Sequence, residues 1–197
     1  MESGAPRRRH ARPVADAPID ALLPRVDDIA KGWLLALLEQ TELDRAPELL
    51  ASDLVHDGPH ICEAVLRALA DERELRRIEP GGSLEGLVAR TGELAGARRA
   101  SESSRAVDVL HAVLWRAVRD ELVRPEAEQV SELAERLVLV IESVRGAAVD
   151  HCDERPPTAS HEGGAARSIW QRVHRRSACS RPSFTAASRS AAPSRCC

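Results

Sequence analysis

Aromatic residues are nearly absent from this chain of 197 residues. It has no tyrosine and a single phenylalanine, Phe184, and its three tryptophans are Trp33, Trp115 and Trp170. Binding sites that enclose a ligand in an aromatic cage, or that stack bases on a row of rings, are therefore nearly excluded. The remaining composition, with 43% hydrophobic and 30% charged residues, excludes a collagen-like or wholly disordered chain.

Cysteine is also scarce, and its spacing matches no metal-binding pattern. Four of the five cysteines follow residue 150, and none forms a Cys-x-x-Cys pair: Cys62, Cys152, Cys179, Cys196 and Cys197. This usage argues against a secreted disulfide framework and favours a reducing compartment. The longest apolar runs, 33–38 and 137–141, are far shorter than the roughly 20 residues of a membrane-spanning helix. Because no apolar signal-peptide segment follows the arginines at 7–9, we expect a cytoplasmic protein with no membrane contact.

Charge divides the chain into three regions. Residues 1–18 carry a net charge of +2, residues 19–150 carry −10, and residues 151–197 carry +5. We interpret the acidic middle as one folded domain, and the basic ends, rich in proline or serine, as a disordered N-terminal arm and a disordered C-terminal tail. Because phosphate binding requires clustered positive charge, we expect no nucleic-acid partner for the domain itself.

The tail, residues 151–197, differs from the domain in composition. It is rich in arginine and serine and has no apolar period beyond Ile169, Trp170 and Val173, so it buries too little surface to offset the entropy of ordering. Its composition is similar to GC-rich DNA translated out of frame, and our hypothesis is that a frameshift or a misplaced gene end removed a genuine C-terminal domain. A second interpretation stays open, in which the basic segment 169–176 contacts anionic lipid or nucleic acid.

The acidic middle has the apolar spacing of α-helices throughout. Apolar residues recur every three or four positions in five segments, at 22–37, 54–69, 84–94, 107–122 and 130–148. Because no alternation of strand type is present, we predict an all-α bundle of about five helices, with the first and the last helix central. Acid-before-base pairs four residues apart favour the same assignment: Asp27–Lys31, Glu63–Arg67, Glu72–Arg76, Asp120–Arg124 and Glu132–Arg136.

Prolines, glycines and short polar segments set the predicted ends of these helices. The first helix ends at Gln40-Thr41, and Gly58-Pro59 kinks or divides the second. A break at 79–83 precedes the third helix, which Ser83 caps, and Pro125 opens the last one. Another break, at 98–104, separates the third helix from the fourth. Three glycines weaken the third helix: Gly86, Gly92 and Gly96.

His56, His60 and Cys62 are candidates for chemistry, and each has an ordinary alternative. His56 and His60 have the spacing of two metal ligands on one helix face. Gly58-Pro59 lies between them and spoils that geometry, so we interpret both histidines as surface or capping residues. Cys62 falls on a predicted buried face without a partner cysteine in the domain, and we interpret it as an unreactive core thiol rather than a redox sensor.

His111 falls on the apolar face of its helix, one turn before Trp115. A haem-ligand interpretation is disfavoured because haem pockets are rich in bulky aromatic residues, which this domain lacks. We predict that Trp33, His111 and Trp115 belong to the core or line a small apolar cavity. No phosphate-binding glycine loop, nucleophile elbow or kinase motif occurs in the sequence, so we predict no catalytic residue, no metal and no cofactor.

Four segments of the middle region resemble a known module. These segments are residues 29–38, which contain Trp33, and residues 58–69, 109–118 and 133–137. The region resembles the N-terminal domain of RsbT co-antagonist proteins of the RsbRD type. The resemblance implies a globin-like helical sensor domain without haem, usually dimeric, that regulates an attached output domain. Similar modules precede diguanylate cyclase domains and helix-turn-helix output domains.

The resulting expectation is a non-enzymatic signal-sensing domain of a bacterial signalling protein. It is expected to form a homodimer and to act through helix packing or dimerisation on an output domain, missing here, or on a partner signalling protein. One alternative is the regulatory half of a truncated diguanylate cyclase. Another is a small nucleic-acid- or lipid-binding adaptor that acts through its basic tail.

Overall fold

The computed structural model describes residues 11–42 and 44–154, which form helices joined by short turns. In chain order the elements are α1 (Ile19–Leu22), a 3₁₀ turn (Leu23–Arg25), α2 (Val26–Gln40), a 3₁₀ turn (Ala46–Glu48), α3 (Ala51–Ala70), α4 (Glu72–Ile78), α5 (Glu85–Ala89), α6 (Thr91–Leu94), α7 (Ala100–Glu121) and α8 (Ala127–Glu154). No strand occurs among the described residues, and the prediction of an all-α fold is confirmed. The disorder predicted for residues 1–10 and 155–197 falls outside the described part of the chain.

α2 buries the apolar face that its sequence predicts. Pro24 lacks a backbone N–H and lies in the 3₁₀ turn that separates α1 from α2, so the first predicted helix is interrupted there. Ile29, Trp33 and Leu37 are buried, and the helix packs on α3 and α7. It ends at Gln40, as predicted.

α3 is continuous through its proline, so the alternative in which Gly58-Pro59 divides the helix is wrong. Pro59 removes the N–H that would bond the carbonyl of Val55. Val55 is exposed to solvent, and water can satisfy a carbonyl there. Gly58 is buried, and a Cβ at this position would lie 3.3 Å from the Cβ of Ala30. The missing side chain therefore lets α3 pack closely on α2.

The turn between α4 and α5 confirms the predicted break but not the predicted cap. The hydroxyl of Ser83 accepts a hydrogen bond from Nε of Arg77 at 3.3 Å instead of capping α5. The carboxylate of Glu85, in the first turn of α5, accepts the N–H of Gly81 at 2.8 Å. The predicted third helix is divided at Arg90 into the short helices α5 and α6.

α7 and α8 each begin a few residues away from their predicted starts. α7 begins at Ala100, inside the predicted break at 98–104. α8 begins at Ala127 rather than at Pro125, and it continues to Glu154, beyond the predicted domain end at residue 150. α8 packs on α3, α4, α5, α6 and α7, so the predicted central position of the last helix is confirmed.

Residues 11–18, which the sequence analysis assigned to a disordered arm, pack on the helices. Val14 is buried in the hydrophobic core. Its N–H donates to the carbonyl of Leu69 at 3.0 Å and so satisfies one free carbonyl in the last turn of α3. This segment therefore belongs to the folded domain.

Arg136 on α8 is a fully buried cation that binds the carboxyl end of α3. Its Nε and Nη2 donate to the carbonyl of Ala68 at 3.0 and 2.8 Å. Its Nη1 donates to the carbonyl of Ala11 at 2.8 Å and to the carboxylate of Glu72 at 2.9 Å. Since a helix carries partial negative charge at its carboxyl end, a cation is favoured at this position. Arg136 thus joins the N-terminal segment, α3, α4 and α8.

Candidate functional site

Trp33 belongs to the hydrophobic core. Its side chain is fully buried on α2, and its indole Nε1 has no hydrogen-bond partner among the described residues. A large buried aromatic side chain contributes strongly to stability, whereas an unpaired buried donor lowers it. The placement assigns Trp33 to packing.

His111 and Trp115 lie one turn apart on α7, and both are half-buried. Trp115 packs against the hydrophobic core. Burial lowers the pKa of His111, and the positive charge of Arg145 lowers it further, while Asp108 and Glu142 oppose the shift. His111 is therefore close to charged residues of both α7 and α8.

The same charged residues form a cluster that joins α7 to α8, which we call the Arg145 cluster. It consists of Ser104 and Asp108 on α7 and Glu142 and Arg145 on α8. Nη1 of Arg145 donates to the carbonyl and the hydroxyl of Ser104, both at 3.0 Å. Its Nη2 donates to Asp108 at 2.8 Å, and its Nε donates to Glu142 at 3.0 Å. No sequence pattern predicts this cluster, because its α7 and α8 members are about 40 residues apart and no local spacing relates them.

Acid is expected to destabilise the protein through His111. The folded-state pKa of His111 lies below its ordinary value of 6.5, so the unfolded chain binds the proton more strongly than the folded chain in that interval. Lowering the pH through 6.5 should therefore lower the free energy of unfolding. The variant His111→Gln lacks this pH-dependent loss. As the pH falls, its free energy of unfolding should therefore increase relative to that of the wild type.

Denaturant unfolding between about pH 8 and pH 5 measures this difference. The matched control is His56→Gln, which replaces a histidine exposed to solvent on α3. A difference between wild type and His111→Gln that stays constant over this range would contradict the assignment.

His56 and His60 do not assemble a metal site. Their rings stack edge to face with centroids 6.2 Å apart. The nearby carboxylates, Asp53 and Asp57, pair with Arg90, and Asp57 also lies 4.0 Å from Nε2 of His56. No group of three His, Cys, Asp or Glu side chains in the described residues could hold a metal ion.

Arg90 is the centre of a series of polar contacts that reaches the last turns of α8. Besides the two aspartates of α3, its Nε lies 3.7 Å from the carboxylate of Glu93 on α6. The same carboxylate lies 3.5 Å from Nε2 of His151 on α8. These contacts therefore connect α3, α6 and α8.

Cys62 is fully buried on α3. Burial raises the pKa of its thiol to about 12. Because the thiolate is the reactive form, such a thiol is a poor nucleophile at neutral pH, which agrees with its interpretation as a core residue.

Two clefts of about 230 Å³ each open on the surface. The first, which we call the α2–α7 cleft, lies between the end of α2, the 3₁₀ turn at 46–48 and the start of α7. The second lies between α3, α4 and α5 and contains two arginines, Arg67 and Arg77, each paired with a glutamate of its own helix. The residues predicted as cavity lining, Trp33, His111 and Trp115, line neither cleft.

The described residues thus define an all-α bundle with a charged α7–α8 seam and two small clefts. None of its helices is both long and apolar enough to cross a membrane. No protein-family model, curated protein or solved structure matches the chain. The resemblance to RsbRD-type domains therefore stays a prediction.

Proposed function

We propose that the helical bundle is a non-enzymatic regulatory domain that senses a signal and passes it to a partner signalling protein or an output domain. The observation that supports this proposal is the position of α8, which packs on five other helices. Its 28 residues span about 42 Å at 1.5 Å per residue. A rearrangement of any of these neighbours changes contacts of α8, and a rigid helix carries such a change along its length.

Two polar contacts in the C-terminal half of α8 suit a change in its packing, whereas Arg136, in its N-terminal half, is fully buried and holds the helix to the end of α3. The Arg145 cluster binds it to α7, and His151 with Glu93 binds it to α6. The acidic partners Asp108 and Glu142 are 62% and 55% exposed, and exposed ion pairs contribute only about 0–1 kcal/mol each. Exchanging these ion pairs for others in a second arrangement of α8 requires little free energy. Two packings of the helix can therefore lie within a few kcal/mol of each other.

Methyl relaxation dispersion of the full chain tests this proposal. Leucine, isoleucine and valine methyl groups on the buried face of α8, such as those of Leu137, Ile141 and Val144, are expected to share one exchange process on the microsecond-to-millisecond timescale. Arg145→Gln, which removes the cluster, should change the population of the minor state. The control Arg116→Gln removes an exposed arginine of α7 and should leave that population unchanged. Flat dispersion profiles in wild type and in Arg145→Gln would contradict the proposal.

The proposal includes a homodimer, and α2 carries apolar side chains suited to an interface. Leu35 and Leu38 are 60% and 42% exposed on the solvent side of this helix. Sedimentation velocity is expected to show a dimer for the wild type and a shift toward monomer for Leu35→Glu. The control Val123→Glu changes an exposed residue in the turn between α7 and α8 and should leave the dimer intact. A wild-type chain that sediments as a monomer at every concentration would contradict the dimer.

A further inference from the structure

The α2–α7 cleft combines an apolar floor with charges at its rim. Leu37 of α2 and Ala106 and Val109 of α7 line it, and each is only 4–5% exposed. Its volume of about 230 Å³ is below the roughly 300–1,000 Å³ of clefts that bind drug-sized ligands, so an occupant must be small.

Most charges of this cleft are already paired within the protein. Arg45 lies 3.3 Å from both Glu102 and Glu48, and these two carboxylates raise its pKa. Glu48 also pairs with Arg98 at 3.0 Å. Glu102 accepts the N–H of Arg98 at 2.8 Å, which lowers the pKa of its carboxyl group. These groups need no ligand for their neutralisation.

Two side chains of opposite charge are left. Glu42 and Arg105 line the cleft, are exposed, and pair with no residue that the structure describes. Glu42 follows the carboxyl end of α2, which has partial negative charge and no basic residue in its last turn. One side of the cleft therefore attracts a cation, and the α7 side attracts an anion that Arg105 can bind through two N–H groups.

We propose that the α2–α7 cleft binds a small zwitterion with an aliphatic side chain, an α-amino acid such as leucine. Its ammonium group pairs with Glu42, its carboxylate pairs with Arg105, and its side chain covers Leu37, Ala106 and Val109. Binding of this kind gives each of the two charges a partner and buries the aliphatic side chain of the ligand. The inference names a ligand class for the proposed regulatory domain; it rests on that proposed function for the consequence of binding, but not for binding itself.

Isothermal titration calorimetry of the full chain with L-leucine tests the site. Three related compounds each remove one recognition element: isocaproate lacks the ammonium group, isoamylamine lacks the carboxylate, and glycine lacks the aliphatic side chain. L-leucine is expected to bind, and each related compound is expected to bind about tenfold more weakly or worse. The inference is overturned if none of L-leucine, L-valine and L-isoleucine binds, or if isocaproate or isoamylamine binds as tightly as L-leucine.

Variants assign the binding to this cleft. Glu42→Gln and Arg105→Gln replace exposed side chains, so both proteins should fold, and each should weaken L-leucine binding by about tenfold or more. Arg116→Gln, an exposed arginine of α7 outside the cleft, should bind L-leucine as the wild type does. Wild-type affinity in both cleft variants would overturn the site.

Methyl relaxation dispersion in the presence of L-leucine separates this inference from the proposed function. Binding that leaves the exchange of the α8 methyl groups unchanged supports the site and contradicts a regulatory role for it. Loss of binding in the cleft variants together with persistent α8 exchange supports both the site and the bundle's two packings.

Discussion

Replacing Arg136 with methionine is expected to lower the free energy of unfolding by about 2–4 kcal/mol, the largest effect of any single change considered for this protein. The fully buried guanidinium satisfies the carbonyls of Ala68 and Ala11 at 2.8–3.0 Å. Methionine fills much of the same space but donates no hydrogen bond, so the buried carbonyl of Ala68 loses two donors and the half-buried carbonyl of Ala11 loses one. A buried polar atom left without a partner costs about 1–3 kcal/mol. Glu72 is 40% exposed and can be solvated by water, so its contribution is smaller.

Chemical denaturation followed by far-ultraviolet circular dichroism measures this change. Arg136→Lys keeps the positive charge but not the fork of donors, and its loss of stability should fall between those of methionine and the wild type. The matched control Arg116→Met removes an arginine that is 86% exposed and should change stability by no more than about 0.5 kcal/mol. Equal stability of Arg136→Met and Arg116→Met would contradict the role given to Arg136.

Gly92→Ala is expected to cost about 2 kcal/mol, although alanine is the better helix former. A Cβ at Gly92 of α6 would overlap the hydroxyl of Ser103 on α7 and lie 2.8 Å from its Cβ and 3.2 Å from its Cα. Ser103 is buried, so neither helix can yield without disturbing the core. The control is Gly86→Ala in α5, where an added Cβ meets no atom within 4 Å. That variant should be more stable than the wild type by about 0.5 kcal/mol.

A double-mutant cycle assigns the cost to this contact. Ser103→Ala removes the overlapping hydroxyl, and Ser103→Gly removes the Cβ as well, so the cost of Gly92→Ala should decrease stepwise in these two backgrounds. Since the hydroxyl of Ser103 has no hydrogen-bond partner among the described residues, Ser103→Ala alone should cost little. An unchanged cost of Gly92→Ala in the Ser103→Gly background would contradict the explanation.

The glycines of the predicted third helix show how far local reasoning reaches. The helical pattern predicts the same effect for Gly86, Gly92 and Gly96, namely a weaker helix. In the structure Gly86 has open space around it, and Gly92 is required by the close approach of α7. Gly96 has a φ of +72°, which favours glycine. The three differ because of neighbours that lie far away in the chain or because of a turn that the sequence pattern does not specify.

The predicted ion pairs were a weaker guide than the apolar pattern. Glu63 and Arg67 pair at 2.9 Å, as predicted. Lys31 instead pairs with Asp28, and Asp120 lies 3.9 Å from Arg116. Glu72 was predicted to pair with Arg76, and Arg136 with Glu132. In the structure Glu72 and Arg136 pair with each other across helices. Pairs within a helix contribute only a few tenths of a kcal/mol, so another contact, in the same helix or between helices, readily replaces them.

At the candidate site, too, the sequence predicted the buried apolar positions but not the contacts between charged residues. Trp33 and Cys62 are buried, and both lie on apolar stripes visible in the sequence. The Arg145 cluster and the cleft charges that pair with no described residue had no sequence signal, since each set combines residues that are distant in the chain. Charged residues on a helix look alike in sequence whether water or another helix covers them.

The amino-acid sequence by itself determined that the middle region is helical and which helix faces enter the core, because the 3.6-residue period of apolar side chains is a local property. The tertiary structure alone decided that an arginine of α8 is buried at the end of α3, that α6 needs a glycine against α7, and which charges at the cleft pair with no described residue. Those outcomes depend on distances between residues far apart in the chain, and such distances exist only once the helices have packed.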